Sequence, residues 1–217
     1  MYKRDAVDIA YRASIHNSVM AIGAFTIASI QAGLSTCLRQ GEKVVEYGLA
    51  GIPMTNKRKG IEYLVRNDAY LYQKSMHIAD KYGYDSVDGI IEVILLFMRV
   101  PNVGMVKAGF IAQMLGFNVA CLDSHNLKRL GMTESQTKIS KTLSDTAKRR
   151  KIRGYVELCQ NKGTEYWWDT WCEHVAGNKA NRTLDTADVV SRYHGECVTK
   201  WHEACNIIIK KGELHYA

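Results

Sequence analysis

The residues best suited to chemistry lie in the stretch Phe117–Gly131, where Asp123 is followed by Ser124 and His125. A carboxylate can stabilise positive charge that develops during a reaction, or orient an attacking water. Asp123 is also a candidate helix N-cap, with Ser124 and His125 starting the next helix, and the two roles are compatible.

A tight turn precedes this stretch and joins two apolar segments in LLFMRVPNVGMVKAGFIAQMLG, residues 95–116. Asn102 tolerates a positive φ better than most residues, and Gly104 adds backbone freedom, so the chain can fold sharply there. Free backbone N–H groups at the start of the second helix would then form a phosphate site. The alternative is a corner between two helices that binds no ligand.

The elements that position these residues are predicted to be helices, because the chain has only two prolines and little strand-like alternation. Between residues 6 and 39 the spacing predicts two helices with a break near Asn17, the second nearly uncharged and therefore buried. A new helix is predicted after Gly41, and further helices over 57–67 and 69–81. Asp85 or Ser86 is expected to cap the next one. The predicted fold class is all-α.

Composition and charge favour a globular, polyanion-binding protein over a disordered or membrane-spanning one. The 217 residues carry a net charge of +7 and a pI near 9.0, which favours a polyanionic partner. With 47% hydrophobic residues the chain is not of the disordered type. No apolar run is long enough for a membrane span, and the N-terminus lacks the apolar core of a signal peptide. We therefore expect a soluble cytoplasmic protein with six reduced cysteines.

Residues Pro101–Gly131 resemble the signature of the helix-hairpin-helix DNA glycosylase superfamily, which includes endonuclease III and adenine DNA glycosylase. That signature reads roughly L-P-G-V-G-x-x-T-A, a short loop, then V-D-x-H-v-x-R. The matching residues here are Val100, Pro101, Val103, Gly104, Ala108, Leu122, Asp123, His125 and the pair Lys128 and Arg129. Tyr70–Ile78 resembles an upstream helix of the family, with Lys74 and Ile78 in register. The similarity is specific over 100–131 and loose over 20–135.

The resemblance implies a two-lobed helical domain spanning residues 1–217. One lobe would comprise residues 20–135 with the hairpin at 90–116, and the other residues 1–19 with 136–217. The partner would be double-stranded DNA bound by a monomer, with the base rotated out of the duplex. Asn102, Val103, Gly104, Met105 and Lys107 would hold phosphates. The resemblance makes Asp123 the catalytic carboxylate at the mouth of the base pocket, where it would stabilise positive charge on the sugar or orient the attacking water. His125 is the second catalytic candidate and would support the loop by hydrogen bonding.

Two departures from the family pattern bear on the chemistry. Bifunctional members carry a lysine where this chain has Val106, and Lys107 is offset by one residue, about 100° around a helix. The resemblance therefore implies a monofunctional enzyme without Schiff-base chemistry. The gaps between Cys159, Cys172, Cys197 and Cys205 do not match the family's iron–sulfur ligands, so we expect no cofactor and no metal, zinc included.

The C-terminal part adds a basic patch and an aromatic cluster. Lys128, Arg129, Arg149, Arg150 and Lys151 are assigned to DNA phosphates, the alternative for the last three being a solvated helix face. Three of the four tryptophans occur in GTEYWWDTWCEHVAG, residues 163–177. We assign Gln31, Trp167 and Trp168 to the base pocket, although part of the aromatic cluster suits a core.

Three functions remain open from the sequence. The first is removal of a modified or mismatched base by a DNA N-glycosylase. The second follows from the resemblance to bacteriophage enzymes with the same scaffold, which replace a pyrophosphate on a 5-hydroxymethyl pyrimidine in DNA with an amine. The third is a DNA-binding module without catalysis.

Overall fold

All regular elements of the described residues are helices, which confirms the all-α prediction. The computed structural model describes residues 17–140, 142–177 and 186–212. The elements are α1 (Met20–Ala28), α2 (Leu34–Tyr47), a 3-10 turn (Gly48–Gly51), α3 (Thr55–Arg66), α4 (Asp68–Tyr82), α5 (Val87–Phe97), α6 (Met105–Met114), α7 (Ser124–Arg129), α8 (Glu134–Thr137), α9 (Asp145–Lys162), α10 (Thr164–Ala176) and α11 (Ala187–Lys210). None of the helices in these ranges has the length and apolar character needed to cross a membrane.

Helix α1 lies at the centre of the packing, and every one of its residues is buried, as its lack of charge predicted. It contacts α3, α6 and α11. Its first amides are satisfied from α4, because Asp68 Oδ1 accepts from Val19 N at 2.7 Å and from Met20 N at 2.8 Å. At its other end, the buried Lys57 Nζ donates to Ala28 O at 2.7 Å. Charged groups of fitting sign thus cap both ends of an apolar helix.

The predicted break near Asn17 is present as a left-handed residue, but the chain breaks a second time, which the sequence analysis missed. Residues 29–33 separate α1 from α2, with Gln31 at φ 56°. Gly41, expected to precede a new helix, lies inside α2 instead. A Cβ at Gly41 would come within 2.9 Å of Lys200 Cγ on α11. The glycine therefore permits close helix packing rather than a turn.

Helix α5 begins at the cap expected for this segment, since Ser86 Oγ accepts from Gly89 N at 3.3 Å. Helices α5 and α6 pack against each other across the turn formed by residues 98–104. Helix α9 packs on α5, whereas α11 packs on α1 and α2. Helices α9 and α11, assigned to the predicted second lobe, therefore both pack on helices of the first. Residues 1–16 of that lobe lie outside the described residues, and the two-lobed division stays a prediction.

Gly60 on α3 provides a test of this packing. A Cβ there would lie 2.6 Å from Pro101 O in the turn and 2.8 Å from Ile27 Cδ1 on α1. We expect Gly60→Ala to lower the free energy of unfolding by about 1–3 kcal/mol in urea denaturation, because two backbone elements must separate.

The matched control is Gly154→Ala on the exposed face of α9, where a Cβ would meet nothing within 4 Å. It should raise stability by about 0.5–1 kcal/mol through helix propensity. Equal effects of the two substitutions would contradict the close approach at Gly60.

Candidate functional site

A cavity of about 230 Å³ lies where α1, α6, α7 and α10 meet. Its polar wall brings together Lys107, Gln113, Asp123, His125 and His174. Five aromatic rings also line it: Phe25, Phe110, Trp167, Trp168 and Trp171. Asp123, His125, Trp167 and Trp168, all assigned to the active site or base pocket from the sequence, therefore line one cavity. Gln31 does not: it is exposed, and its neighbours Ser29 and Ala32 line the cavity instead.

The segment that carries Asp123 into the cavity is buried but not helical, so side chains must satisfy its backbone. Tyr155 on α9 does so twice: its hydroxyl donates to Ala120 O at 2.6 Å and accepts from Leu122 N at 3.1 Å. Gln113 Oε1 on α6 accepts from Cys121 N at 3.2 Å, and Asn126 Nδ2 on α7 donates to Cys121 O at 3.0 Å. Burial raises the pKa of Tyr155, so its hydroxyl stays protonated.

Asp123 is the N-cap of α7, as the sequence predicted. Its Oδ1 accepts from the backbone N of His125 and of Asn126, both at 3.1 Å. These bonds fix the carboxylate at a helix N-terminus, where the helix dipole favours negative charge. No hydrogen bond to Oδ2 is made by the described residues. The carboxyl group is half-buried on the cavity wall and is held by one oxygen.

The imidazoles of His125 and His174 stack on the cavity wall, with ring centroids 3.5 Å apart and planes 29° apart. Burial is the main cause that lowers the pKa of His174, and His125 lowers it further. Both causes favour a neutral His174 ring. The backbone N–H of His125 donates to Asp123, as it would for any residue at this position, and the expected support of the loop by the imidazole stays a prediction.

Lys107 also lines the cavity. Its Nζ donates to Ser29 Oγ at 3.3 Å, and the side chain is half-buried. The one-residue offset from the position of the family lysine predicts that this amine takes no part in the chemistry. The start of α6 nevertheless faces the cavity, so the side chain of Lys107 reaches it. Lys107 and Asp123 form no ion pair within 4 Å, so a ligand can lie between them.

The tryptophans of the cavity wall are held in place by contacts on their sides that face away from the cavity. Trp167 Nε1 donates to Cys159 O at 3.0 Å, which fixes that ring by a structural bond. Trp168 packs on Trp171, with centroids 5.2 Å apart, and meets the edge of the fully buried His194 at 5.0 Å. Burial lowers the pKa of His194 to about 3, so this ring is neutral and acts as part of the apolar core.

Gln113 is the cavity residue that the sequence analysis missed. The side chain is only 4% exposed and lies on α6 among small and apolar residues. A single glutamine in such a helix carries no spacing signal. Its function is visible only after folding, when the segment at Cys121 passes beside it.

The turn before α6 partly confirms the sequence analysis. Asn102 has φ 67°, as expected, and its Nδ2 donates to Asn56 O. Gly104 has φ −89° and ψ 178°, so the expected conformational role of this glycine is wrong; any residue adopts extended backbone. Val103 and Met105 are buried and can offer only backbone groups. The N–H groups of residues 104–107 find no acceptor among the described residues, as expected for an uncapped helix start.

The assigned basic residues fall into two sets. Lys128 and Arg129 are exposed at the end of α7, close enough to His174 for their charges to lower its pKa. The α9 residues lie elsewhere: Arg149 pairs with Glu92 at 2.5 Å, and Lys151 donates to Lys138 O. Arg150 is exposed.

The ion pairs of α9 also involve Arg153, which pairs with Asp88. Arg149 and Lys148 line a second cavity of about 490 Å³, which shares no residue with the first. The ion pairs of Arg149 with Glu92 and of Arg153 with Asp88 tie α9 to α5, whereas Lys148 pairs with Asp145 on α9 itself. The assignment of Arg149 to phosphates stays a prediction.

The cysteines form no ligand group in the described part of the chain. Cys159, Cys172, Cys197 and Cys205 are free and buried, and burial raises the pKa of each thiol. Within these ranges no cluster of three or more His, Cys, Asp or Glu side chains could hold a metal ion.

No protein-family model, curated protein or solved structure matches the chain. The cavity geometry is therefore the basis for assigning a function.

Tyr155→Phe tests whether the buried segment depends on its side-chain partners. Removing the hydroxyl leaves Leu122 N without a partner and leaves Ala120 O with only a weak donor, Cys159 Sγ at 3.7 Å. An unpaired buried backbone group costs about 1–3 kcal/mol. We expect a loss of at least about 1 kcal/mol in the free energy of unfolding, measured by urea denaturation. Tyr166→Phe, at an exposed ring of α10, should change stability by less than about 0.5 kcal/mol. A small effect at Tyr155 would mean that water replaces the hydroxyl.

Proposed function

We propose that this protein is a DNA-binding enzyme that acts on a base rotated out of the duplex, and that it removes this base as an N-glycosylase. The observation that carries the proposal is the meeting of a carboxylate, an amine and three tryptophans in one cavity. The resemblance over residues 100–131 supports the same function, and so does the net charge of +7. Bases inside a duplex are unreachable, so an enzyme of this class needs such a cavity.

The aromatic wall would receive the base, because indole and phenyl rings stack on any planar heterocycle. The free N–H groups of residues 104–107 would hold a phosphate next to it, fixing the register of the DNA without reading its sequence. Lys128 and Arg129 would contact phosphates on the other side of the mouth. DNA would thus run across the ends of α6 and α7.

Asp123 would perform the chemical step. As the bond between C1′ and the base nitrogen breaks, positive charge develops on the sugar, and the carboxylate stabilises it. A water molecule attacks C1′ and loses a proton. The departing base takes up a proton, so the products are a free neutral base and an abasic sugar. Because two backbone amides already hold Oδ1, the carboxylate needs no reorientation during the reaction.

The amine of Lys107 in the same cavity favours a second chemistry. Attack of a neutral Nζ on C1′ would displace the base and, after the sugar ring opens, leave an imine between lysine and sugar. Sodium borohydride reduces that imine to a stable covalent adduct. Hydrolysis by water gives no such adduct, so trapping separates the two routes.

The test is incubation of the purified protein with duplexes that carry uracil, 5-hydroxymethyluracil, or alkylated, oxidised or mismatched bases. Products are analysed by mass spectrometry. We expect a free base from one substrate, and Asp123→Asn to lower its release at least about a hundredfold, because asparagine keeps the cap but removes the charge. The control Asp80→Asn changes an exposed carboxylate on α4 and should leave the rate unchanged.

Other products would overturn the proposal in distinct ways. An intact nucleoside of altered mass, formed when a pyrophosphorylated 5-hydroxymethyl base and an amine are supplied, would assign base modification. Binding without any product would leave a DNA-binding module. A rate that survives Asp123→Asn would exclude this carboxylate from the chemistry.

The path of the DNA is tested by the salt dependence of binding. Each phosphate contact contributes about 0.9 to the slope of log affinity against log salt. We expect the double variant Lys128→Ala with Arg129→Ala to reduce that slope by about 2. The variant Arg149→Ala with Arg153→Ala removes as much charge, yet should change the slope little, because both arginines are held in ion pairs. A smaller slope in the α9 variant, with no change in the α7 variant, would show that the DNA binds along α9.

A further inference from the structure

The side-chain amide of Gln113, on the cavity wall, has a fixed orientation and a partner on only one of its two polar atoms. The side chain is 4% exposed, and its Oε1 accepts from Cys121 N at 3.2 Å. The Nε2 atom of the same amide makes no hydrogen bond with the described residues. Buried amide groups are normally paired on both atoms, so an unpaired one on a cavity wall indicates a missing ligand.

Nε2 is open to the cavity. Four buried polar side-chain atoms lack a partner in the described ranges, namely Gln40 Oε1, Arg58 Nε, Trp168 Nε1 and Ser191 Oγ, and all four are sealed off from solvent. Gln113 Nε2 is not one of them, although its side chain is almost fully buried and lines the cavity. Its remaining accessible surface therefore faces the cavity.

The amide cannot turn over to exchange its two ends. Cys121 N is a backbone donor and can bond only to the oxygen of Gln113. The nitrogen must therefore face the cavity, where it presents two N–H donors and no acceptor. The folded backbone therefore fixes the orientation of the Gln113 amide, which does not change with the ligand.

We propose that Gln113 is a specificity-determining residue that donates a hydrogen bond to the C4 carbonyl oxygen of a bound pyrimidine, so the cavity selects uracil or thymine over cytosine, which carries an amino group at C4. This inference rests on the proposed function for its ligand class. An amino group at C4 would place its N–H donors against the N–H donors of Gln113, and neither group would have an acceptor. Such a mismatch costs about a factor of ten or more in affinity.

The test uses free uracil and cytosine as probes. They differ at C4, which carries a carbonyl in uracil and an amino group in cytosine, and at N3, which carries a proton only in uracil. Binding is followed by quenching of tryptophan emission, since three tryptophans line the cavity. We expect uracil to bind at least about ten times more tightly than cytosine.

Gln113→Glu keeps the shape of the side chain and the bond from Cys121 N, but replaces the donor with an acceptor. We expect this variant to lose the preference for uracil and to bind cytosine at least as well. Gln73→Glu, at an exposed position of α4, makes the same chemical change away from the cavity and should keep the natural preference. Thermal unfolding of each variant shows whether it is folded.

The outcomes separate this inference from the proposed function. Equal binding of uracil and cytosine, or a preference that persists in folded Gln113→Glu, would overturn the role of Gln113. If Gln113→Glu does not fold, Gln113→Met, which lacks both amide atoms, should bind the two bases equally; retained selectivity there would also overturn it. A clear uracil preference without any product from DNA would instead overturn the glycosylase and leave the donor role intact.

Discussion

The site depends on one constraint: a buried backbone segment outside any helix must find partners for its polar groups. Residues 117–123 run through the interior, where an unpaired N–H or C=O is costly. Tyr155, Gln113 and Asn126 meet this requirement from three different helices. A fourth helix joins the network because Thr170 Oγ1 donates to Asn126 Oδ1 at 3.3 Å. Helices α6, α7, α9 and α10 are therefore held together at the point where Asp123 enters the cavity.

The same constraint explains why the carboxylate is rigid. Asp123 is the last residue of the buried segment, has an extended backbone and is the N-cap of α7. Its backbone position and the direction of its side-chain hydrogen bonds are therefore both fixed. Groups that stabilise a transition state act best when they need no rearrangement. Around it, Lys107 and the stacked pair His125 and His174 reach the cavity from separate helices. The charges and rings are thus supplied by different elements and meet only because the buried segment joins those elements.

Local signals in the sequence were sufficient to predict an all-helical chain and several of its caps and turns. The cap at Asp123, the cap at Ser86 and the left-handed Asn102 follow from side-chain chemistry within a few residues. The ion pairs of Arg149 and Arg153 could not be predicted, because their partners lie 57 and 65 residues away along the chain. Gly41 misled the analysis for a similar reason: its role is to approach α11, more than 150 residues downstream, and a close approach leaves no local pattern. Gln31 was misassigned to the pocket because the second break, at 29–33, turns it outward.

Gln113 shows how a requirement of folding can decide a property of binding. An amide side chain has a donor end and an acceptor end of nearly the same shape, so packing alone does not choose between them. Here the N–H of Cys121 needs an acceptor, and this need directs the oxygen toward the buried segment and the nitrogen toward the cavity. The choice is enforced by the cost of an unpaired backbone group, which applies whether or not a ligand is present. A cavity wall built in this way is selective before any ligand arrives, because reversing its polarity would require the segment that carries Asp123 to lose a hydrogen bond.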